Sequence, residues 1–475
     1  MVQQSVPKQL SFSVRQKLVP ALFMAFADAT GLLISWRVSA YVARDPLGGL
    51  PSVAAAGFLL ALCLAIYLVS GLYPGMMIHP VNELKSLSIG TTLTLLVAVG
   101  TLFNTKSSGA QVRALLSVWI IALFTVPLSR TFLRRLSRGR PWWGAPTLIL
   151  GSGNTGRRIA NILRDNPHFG LKPVGILDDN PERYRQSGGQ IPYLGAISMA
   201  ASAARTHHVE HAIVAMPGVA AADLGKILSR HAQCFASIVV VPDLLGTANL
   251  WVRPRNIAGI LGIEINQLSA QWLPQATKRL VDLILSSVGI LLLSPLFLLL
   301  YAIIRLDSKG PAFYFQTRIG KSGARFKLWK FRSMHADCDR LLKHSLESDP
   351  LLASEWASAH KLRRDPRVTF VGALLRRLSL DELPQLWNVF KGDMSLVGPR
   401  PIVGAEIGRY RESFASYALV RPGITGLWQV SGRNNTSYEQ RVQFDEYYVR
   451  NWSVWLDLYI LARTIRIVLT CEGAY

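Results

Sequence analysis

The stretch Leu378-Ser-Leu-Asp-Glu-Leu-Pro-Gln-Leu-Trp-Asn-Val-Phe-Lys-Gly-Asp-Met-Ser-Leu-Val-Gly-Pro-Arg-Pro401 carries the densest chemistry in this chain of 475 residues. Two adjacent carboxylates, Asp381 and Glu382, stand just ahead of an apolar run. Pro384 lacks an N–H and fits only the first turn of a helix, so a helix is expected to begin near Asp381. Its N-terminus would offer unpaired N–H groups and positive dipole character, which favour ionised carboxylates and nearby phosphate. A capping box, with Ser379 as cap and Glu382 three residues on, is the structural alternative. That box would set Pro384 inside the helix, where its missing donor loses a bond.

Ser379-Leu-Asp-Glu-Leu-Pro-Gln-Leu and Lys391-Gly-Asp-Met-Ser-Leu-Val-Gly-Pro-Arg-Pro closely resemble the signature of bacterial sugar transferases, the polyprenyl-phosphate hexose-1-phosphate transferases also called monotopic phosphoglycosyl transferases. The resemblance runs from about Lys278 to Tyr475. It implies that Asp381 is a nucleophile and that Glu382 holds magnesium. It also implies a bacterial inner-membrane enzyme that moves hexose 1-phosphate from a UDP-hexose to undecaprenyl phosphate and releases UMP, the first step of O-antigen, capsule or exopolysaccharide assembly.

Immediately around this stretch lie the basic residues that a diphosphate requires. Arg325-Phe-Lys-Leu-Trp-Lys-Phe-Arg-Ser-Met334 reads as a strand, in which period-2 alternation sets Lys330 and Arg332 on one face. Two cations side by side suit a diphosphate, and an exposed strand face is the alternative. A Lys-Phe-Arg-x-Met run also recurs in the family. Arg400 is pinned between Pro399 and Pro401, and its guanidinium fork matches phosphate oxygens. Arg376 is carried forward because it matches the family pattern. Downstream, Arg421-Pro-Gly-Ile-Thr-Gly-Leu-Trp-Gln-Val-Ser-Gly-Arg433 is a glycine-rich turn region whose family counterpart lies near the nucleotide-sugar site. Tyr438, Arg441 and Asp445 share one helix face, as ligands or as an ion-paired surface. Tyr447 to Trp455 and the helix after it read as an interfacial element.

Upstream, Leu280 to Ile304 is almost wholly apolar and long enough to span a bilayer, with Ser294-Pro295 near its middle. A crossing would carry the catalytic part away from nucleotide sugars. A break at Ser294 and Pro295 that returns the chain to the same side keeps it inside, and the family resemblance implies such re-entry. Lys278, Arg279 and Arg305 would then face one lipid headgroup layer. A kinked fifth span is the alternative. Asp337 to Lys361 reads as a charged amphipathic helix. The runs Asp349-Pro-Leu-Leu-Ala-Ser-Glu-Trp and Lys361-Leu-Arg-Arg-Asp-Pro-Arg-Val-Thr most resemble the galactose-specific branch, with glucose the alternative.

Further out, Pro146-Thr-Leu-Ile-Leu-Gly-Ser-Gly-Asn-Thr-Gly reads as a strand and glycine turn with Gly151, Gly153 and Gly156 in dinucleotide-binding order. A second strand, Val174 to Leu177, ends at Asp178 and Asp179, where a ribose-binding acid is expected. Strands over Ala212 to Met216 and Ser237 to Val241 complete a Rossmann-like α/β unit, which either binds a nucleotide or serves as a scaffold. Leu244 to Gln275 reads as linker with short strands.

At the start of the chain four apolar segments, about Leu18 to Ala43, Ser52 to Tyr73, Leu87 to Phe103 and Ala114 to Leu128, are candidate spans. The fourth is the shortest. Basic residues flank the set at both ends, which puts both ends in the cytoplasm. Asp28 and Arg37 fall within the first, where a structural role, pairing inside the bundle or snorkelling, is favoured over function. Half of all residues are hydrophobic, 17% are charged and the formal net charge is +23. That balance, with the apolar runs, points to anionic lipid and phosphorylated substrates and away from nucleic acid. Four cysteines with no paired spacing argue against a disulfide framework or zinc site.

The fold class expected is therefore a membrane protein in three parts. Residues 1–143 form a four-helix transmembrane bundle, 144–271 a Rossmann-like α/β domain with linker, and 272–475 an α/β catalytic domain with a re-entrant membrane helix over 280–304. The catalytic domain is expected in the cytoplasm, with Mg2+ as cofactor and UDP-hexose, undecaprenyl phosphate and membrane lipid as partners; a homodimer stays open. A membrane-bound nucleotide-sugar dehydratase is a rival, but no tyrosine here has a lysine four residues later to supply its proton relay. A noncatalytic scaffold is the other.

Overall fold

The computed structural model describes residues 7–42, 53–76, 78–104, 109–137, 140, 142–185, 191–220, 223–225, 227, 234–241, 252–257, 260–265, 272–335, 337–348, 365–431 and 436–470. The chain forms two compact units, Met1–Gly246 and Thr247–Tyr475.

In the first unit the apolar segments become helices α1 (Pro7–Val42), α2 (Val53–Val69), α3 (Pro80–Asn104) and α4 (Gly109–Ser137). Three of them, over Leu18–Val42, Pro80–Leu102 and Gly109–Ser137, are long and apolar enough to cross a membrane, and Ala54–Val69 is a shorter apolar helix. The fourth segment, expected to be the shortest, is among the longest. Its basic end continues the helix to Ser137 because Arg130 and Arg134 turn inward onto carboxylates. Arg130 donates through Nε and Nη2 to Asp28 at 2.6 Å each and through Nη1 to Glu83 at 2.6 Å. Arg134 donates to the same Glu83. Asp28 also accepts from the Tyr73 hydroxyl at 2.6 Å. Asp28 thus pairs inside the bundle, as expected, since a lone carboxylate in hydrocarbon has no counter-charge. Gly31 lets α1 and α4 approach closely: an added Cβ would meet Val126 Cα at 2.8 Å, and Thr125 Oγ1 donates to the Gly31 carbonyl. Leu22, Phe26 and Phe124 face outward.

The same unit holds a parallel sheet of β1 (Ala145–Leu150), β2 (Leu171–Leu177), β3 (His211–Val214) and β4 (Ser237–Val240) in the order β2-β1-β3-β4. All four lie on the runs expected to be strands. Leu148, Leu150, Leu177 and Val214 fill one face, and Ile149, Ile176 and Ala160 the other, so the strands are continuous apolar runs. Helix α5 (Asn154–Asp165) starts at the glycine turn. Gly151 has φ +107° and Gly156 packs against its carbonyl, leaving no room for a Cβ.

The second unit begins with a two-stranded antiparallel ribbon, β5 (Val252–Ile257) and β6 (Ile260–Ile265). The ribbon, expected with the α/β domain, falls in the second unit: its strands pair with each other and add nothing to the parallel sheet. Helix Trp272–Asp307 then runs without interruption through Ser294-Pro295. Pro295 cannot donate to the Leu291 carbonyl, and the Ser294 hydroxyl does so in its place at 2.7 Å. The helical segment therefore runs on through the expected break, with Pro295 inside it. Lys278 and Arg279, expected to face headgroups, have protein partners. Lys278 pairs with Asp457 at 2.6 Å, and Arg279 donates to the Val389 and Phe390 carbonyls. Leu291, Leu292 and Leu298 stay more than two-thirds exposed, an apolar surface suited to lipid.

Antiparallel β7 (Phe313–Ile319) and β8 (Arg325–Phe331) form a ribbon over this helix, and β9 (Ser395–Val397) pairs in parallel with β10 (Gly423–Thr425). The charged segment forms helix Cys338–Ser348. Residues 349–364, which hold most of the galactose-like runs, lie outside the described residues, as do Gly432, Arg433 and Cys471. The Tyr447 to Trp455 segment is corrected from interfacial to core: Tyr448, Val449 and Trp452 are buried, with the Tyr448 hydroxyl on Asp457 and the Val397 carbonyl.

Candidate active site

Asp381 and Glu382 do not open an α-helix. They occupy a 3-10 turn, Leu380–Glu382, followed by helix Gln385–Lys391 with Pro384 at its cap. The turn follows Ser379 at φ +56°, whose side chain caps nothing, so the capping box is absent too. Pro384 accounts for both results: without an N–H it starts a helix and cannot sit a full turn inside one. The two carboxylates are thereby held on a tight turn one step ahead of the helix.

Lys330, from β8, reaches this turn. Its Nζ lies 2.7 Å from Glu382 Oε1 and 3.7 Å from Asp381 Oδ2. Burial pushes the Asp381 carboxyl above its ordinary range; Lys330 pulls it back, Glu382 adds to the rise, and Arg376 opposes it. Lys330 thus offsets part of the desolvation that an ionised Asp381 would suffer.

Arg376 ends helix Phe370–Arg377, capped by the Thr369 hydroxyl on the Gly372 N–H at 2.9 Å. Its Nε donates to the Ser333 hydroxyl at 2.9 Å. Gly372 abuts the Ser333 carbonyl with no space for a side chain, which is how helix and strand end come close enough for that bond. Asn388 was not singled out from the sequence. Its side chain accepts from Trp329 N–H and donates to the Lys327 carbonyl, fixing helix Gln385–Lys391 to β8. An asparagine set in the apolar run Leu386-Trp-Asn-Val-Phe390 was the available signal.

The structure does not bring Arg332 beside Lys330. β8 ends at Phe331, and the alternation that would pair the two side chains ends with it. Arg332 is buried and donates through Nη2 to Ser308, capping the end of helix Trp272–Asp307. Among the described residues no ion pair joins Arg400 to the dyad. Its guanidinium lies 5.6 Å from the centre of the Trp428 ring, whose other neighbour is Arg441 at 5.2 Å. Tyr438, Arg441 and Asp445 do share a face of helix Tyr438–Asn451, and Asp445 accepts from Tyr410 at 2.8 Å.

Complete burial pushes Asp445 up to about 7. An unfolded aspartate titrates near 4. Between those values the unfolded state ionises while the native one stays protonated, so stability falls as pH rises through that window and levels off above it. Asp445→Asn keeps an acceptor for Tyr410 and is expected to flatten that part of a melting-temperature profile against pH. An unchanged slope would assign it to other groups.

The carboxylates also bear on magnesium. Among the described residues no group of three or more His, Cys, Asp or Glu could hold a metal. Asp381 and Glu382 alone fit an ion that keeps waters and takes its other oxygens from a phosphorylated substrate.

In the α/β domain Gly151, Gly153 and Gly156 lie at the turn before α5. Asp178 does not stand free for a ribose. Its carboxylate accepts from Ser152 N–H at 2.6 Å and Ser152 Oγ at 2.8 Å, and Asp179 accepts from Ile197 N–H. Burial opposes the Asp178 charge, but the Ser152 and Asn180 N–H groups outweigh it and hold the group below its usual range.

Comparison with known proteins adds two matched regions. Residues 273–471 match the bacterial sugar transferase family and residues 70–242 a CoA-binding domain family. The chain is 37% identical over 368 residues to an undecaprenyl-phosphate galactose phosphotransferase of Salmonella typhimurium, with 75% of each chain covered. It is 32% identical over 335 residues to a UDP-glucose:undecaprenyl-phosphate glucose-1-phosphate transferase of Escherichia coli, covering 69% of this chain and 68% of that one. It is 49% identical over 198 residues to the exopolysaccharide production protein ExoY of Rhizobium meliloti, covering 42% of this chain and 88% of that one.

Proposed function

Because the chain belongs to the bacterial sugar transferase family, we propose that it transfers galactose 1-phosphate from UDP-galactose to undecaprenyl phosphate and releases UMP, with UDP-glucose as the alternative donor. The observation that carries this reading is the Asp381, Glu382 and Lys330 constellation on a tight turn beside a long apolar helix. The dehydratase is disfavoured because no tyrosine here has a lysine four residues later to supply its proton relay. Supplying purified protein with a panel of UDP-sugars and undecaprenyl phosphate, and measuring UMP release, tests it. UMP release with none of the sugars would reject the transferase.

Asp381 divides a crowded reaction in two. A carboxylate oxygen attacks the phosphorus attached to the sugar, the P–O bond to UMP breaks, and UMP leaves with the electron pair. An oxygen of the lipid phosphate then attacks the same phosphorus, and Asp381 departs as carboxylate. Lys330 screens the approach of an anionic carboxylate to an anionic diphosphate. Magnesium, held by Glu382 with substrate oxygens, would supply further charge neutralisation. Arg376 and Arg400 supply guanidinium donors for phosphate oxygens, and Arg332 supports the ribbon from behind. Arg400→Lys keeps the charge and loses the planar fork, so kcat/KM is expected to fall at least about tenfold, the loss of one charged hydrogen bond. Turnover equal to wild type would limit Arg400 to a structural role.

For the membrane, the proposal is an inner-membrane protein whose catalytic domain lies in the cytoplasm and whose helix Trp272–Asp307 enters the bilayer and returns no chain to the far side. The support is the outward apolar surface of that helix together with the attachment of both its ends to the catalytic unit: Lys278 and Arg279 near one end, Arg332 on Ser308 just past the other. Cysteine labelling at positions flanking Lys278 and Arg305 is expected from the cytoplasmic side alone. Periplasmic labelling beside Arg305 would mean a crossing. The α/β domain, a parallel sheet in the order β2-β1-β3-β4, is read as a scaffold, because Asp178 already occupies the Ser152 donors that a ligand would use.

A further inference from the structure

Helix Gln385–Lys391, directly after the reactive turn, buries Gln385, Asn388 and Val389 and leaves Trp387 and Phe390 outside. Two of the three buried residues have partners suited to them. Val389 packs with Leu328 and Met394, and Asn388 bonds through both ends of its amide to the β8 backbone. Gln385 is 3% exposed, yet its amide forms no hydrogen bond among the described residues. A primary amide brings two donors and an acceptor, and withdrawing them from water without partners is destabilising. Unlike Arg332 Nε, which is sealed in without a partner, the Gln385 amide is not wholly closed off from solvent. It is a polar group held ready at the end of a narrow opening.

Contacts on either side fix what Gln385 faces. Glu382 meets Lys330 on β8, and six residues later Asn388 meets the Trp329 N–H and the Lys327 carbonyl. The turn and helix therefore run antiparallel to β8, with Gln385 midway between those contacts. Residues three and four apart share a helix face, so Gln385 lies on the side of Asn388 and Val389, turned to β8. Leu386 points elsewhere, toward Gly289 on helix Trp272–Asp307. Gln385 also stands four residues after Asp381, which is itself 9% exposed, and no bond joins the two. Asp381, Lys330 and Gln385 thus come together as an anion, a cation and an uncharged amide.

We infer that Gln385 binds the group being transferred: its amide N–H donates to a non-bridging oxygen of the phosphate that Asp381 attacks. The inference deepens the transferase reading and rests on it for the identity of that phosphate. An uncharged donor suits the place. A second cation beside Lys330 would draw the Asp381 charge away from phosphorus, whereas an amide steadies the charge gathering on the phosphate oxygens and leaves the carboxylate free. The bond forms only when substrate arrives, and the free protein is less stable for holding the amide unpaired.

Gln385→Met keeps the length and packing of the side chain and deletes its hydrogen bonds; Gln385→Glu keeps the shape and loses the donor until it is protonated. Full-length wild type and both variants, in lipid nanodiscs, are melted and then given UDP-galactose and undecaprenyl phosphate, and UMP release is followed in a single turnover. Gln385→Met is expected to melt at or above the wild-type temperature while UMP release slows at least about tenfold, the loss of one hydrogen bond to a charged oxygen. In Gln385→Glu the new carboxyl faces Asp381, Glu382 and Lys330. Its rate relative to wild type at the same pH is expected to rise as pH is lowered from about 8 to about 6, because the protonated carboxyl can donate again. UMP release within twofold of wild type in Gln385→Met would overturn the inference. So would a melting temperature several degrees lower, which would make the amide part of the fold, or a relative rate in Gln385→Glu that does not change with pH. If Gln385→Glu fails to fold, the methionine variant decides alone. If wild type releases no UMP the transferase reading fails, and titration with inorganic pyrophosphate then decides the residue by itself: tenfold weaker binding in Gln385→Met supports the contact, and equal affinity overturns it.

Discussion

Full-length protein given UDP-galactose without lipid is expected to carry a hexose phosphate on Asp381, and Asp381→Asn to carry none. The amide keeps the size of the side chain and the turn at Ser379, so folding should survive while the nucleophile is lost. Removing a nucleophile typically costs on the order of 10³-fold or more in turnover. Lys330 remains beside Glu382 in that variant, which leaves the substrate's charge partly screened and isolates the loss to chemistry. Glu382→Gln should instead lower the rate and weaken its metal dependence while still allowing some adduct, and chelator should suppress wild-type turnover. Parallel initial-rate lines belong to this two-step route. Intersecting lines, with no adduct detected by mass spectrometry after quenching, would replace it by direct transfer and leave Asp381 as a base or metal ligand.

Arg130→Leu is expected to be the most damaging single change in the membrane bundle. Arg130 is 1% exposed and joins Asp28 on α1 to Glu83 on α3. Removing it leaves Asp28 with Tyr73 alone, and breaking a buried ion pair from one side costs about 3–5 kcal/mol. Arg134 keeps Glu83 partly compensated, so the loss falls chiefly on the contact between α1 and α4. The double change Asp28→Asn with Arg130→Gln removes both charges and should recover much of the melting temperature in nanodiscs. If Arg130→Leu melts with wild type, the network adds nothing to stability.

The sequence determined what is local. Apolar runs marked α1 to α4 and the long helix, because hydrocarbon admits few other side chains. The strands of the parallel sheet stood out as short continuous apolar runs ending in Gly151 or Asp178. The Asp381-Glu382 pair and Pro384 marked the start of a helix, while Lys330 was expected beside Arg332 on a diphosphate and the fold sets it on Glu382 instead. What required tertiary structure is where long side chains end. Lys278 and Arg279 were expected to face a headgroup layer, yet the fold brings a carboxylate and helix carbonyls within their reach. Arg332 and Lys330 are two apart in sequence and part company because the strand ends between them. Arg400 and Arg441 come from separated segments with no common motif, and their meeting at the Trp428 ring is a property of the tertiary packing alone.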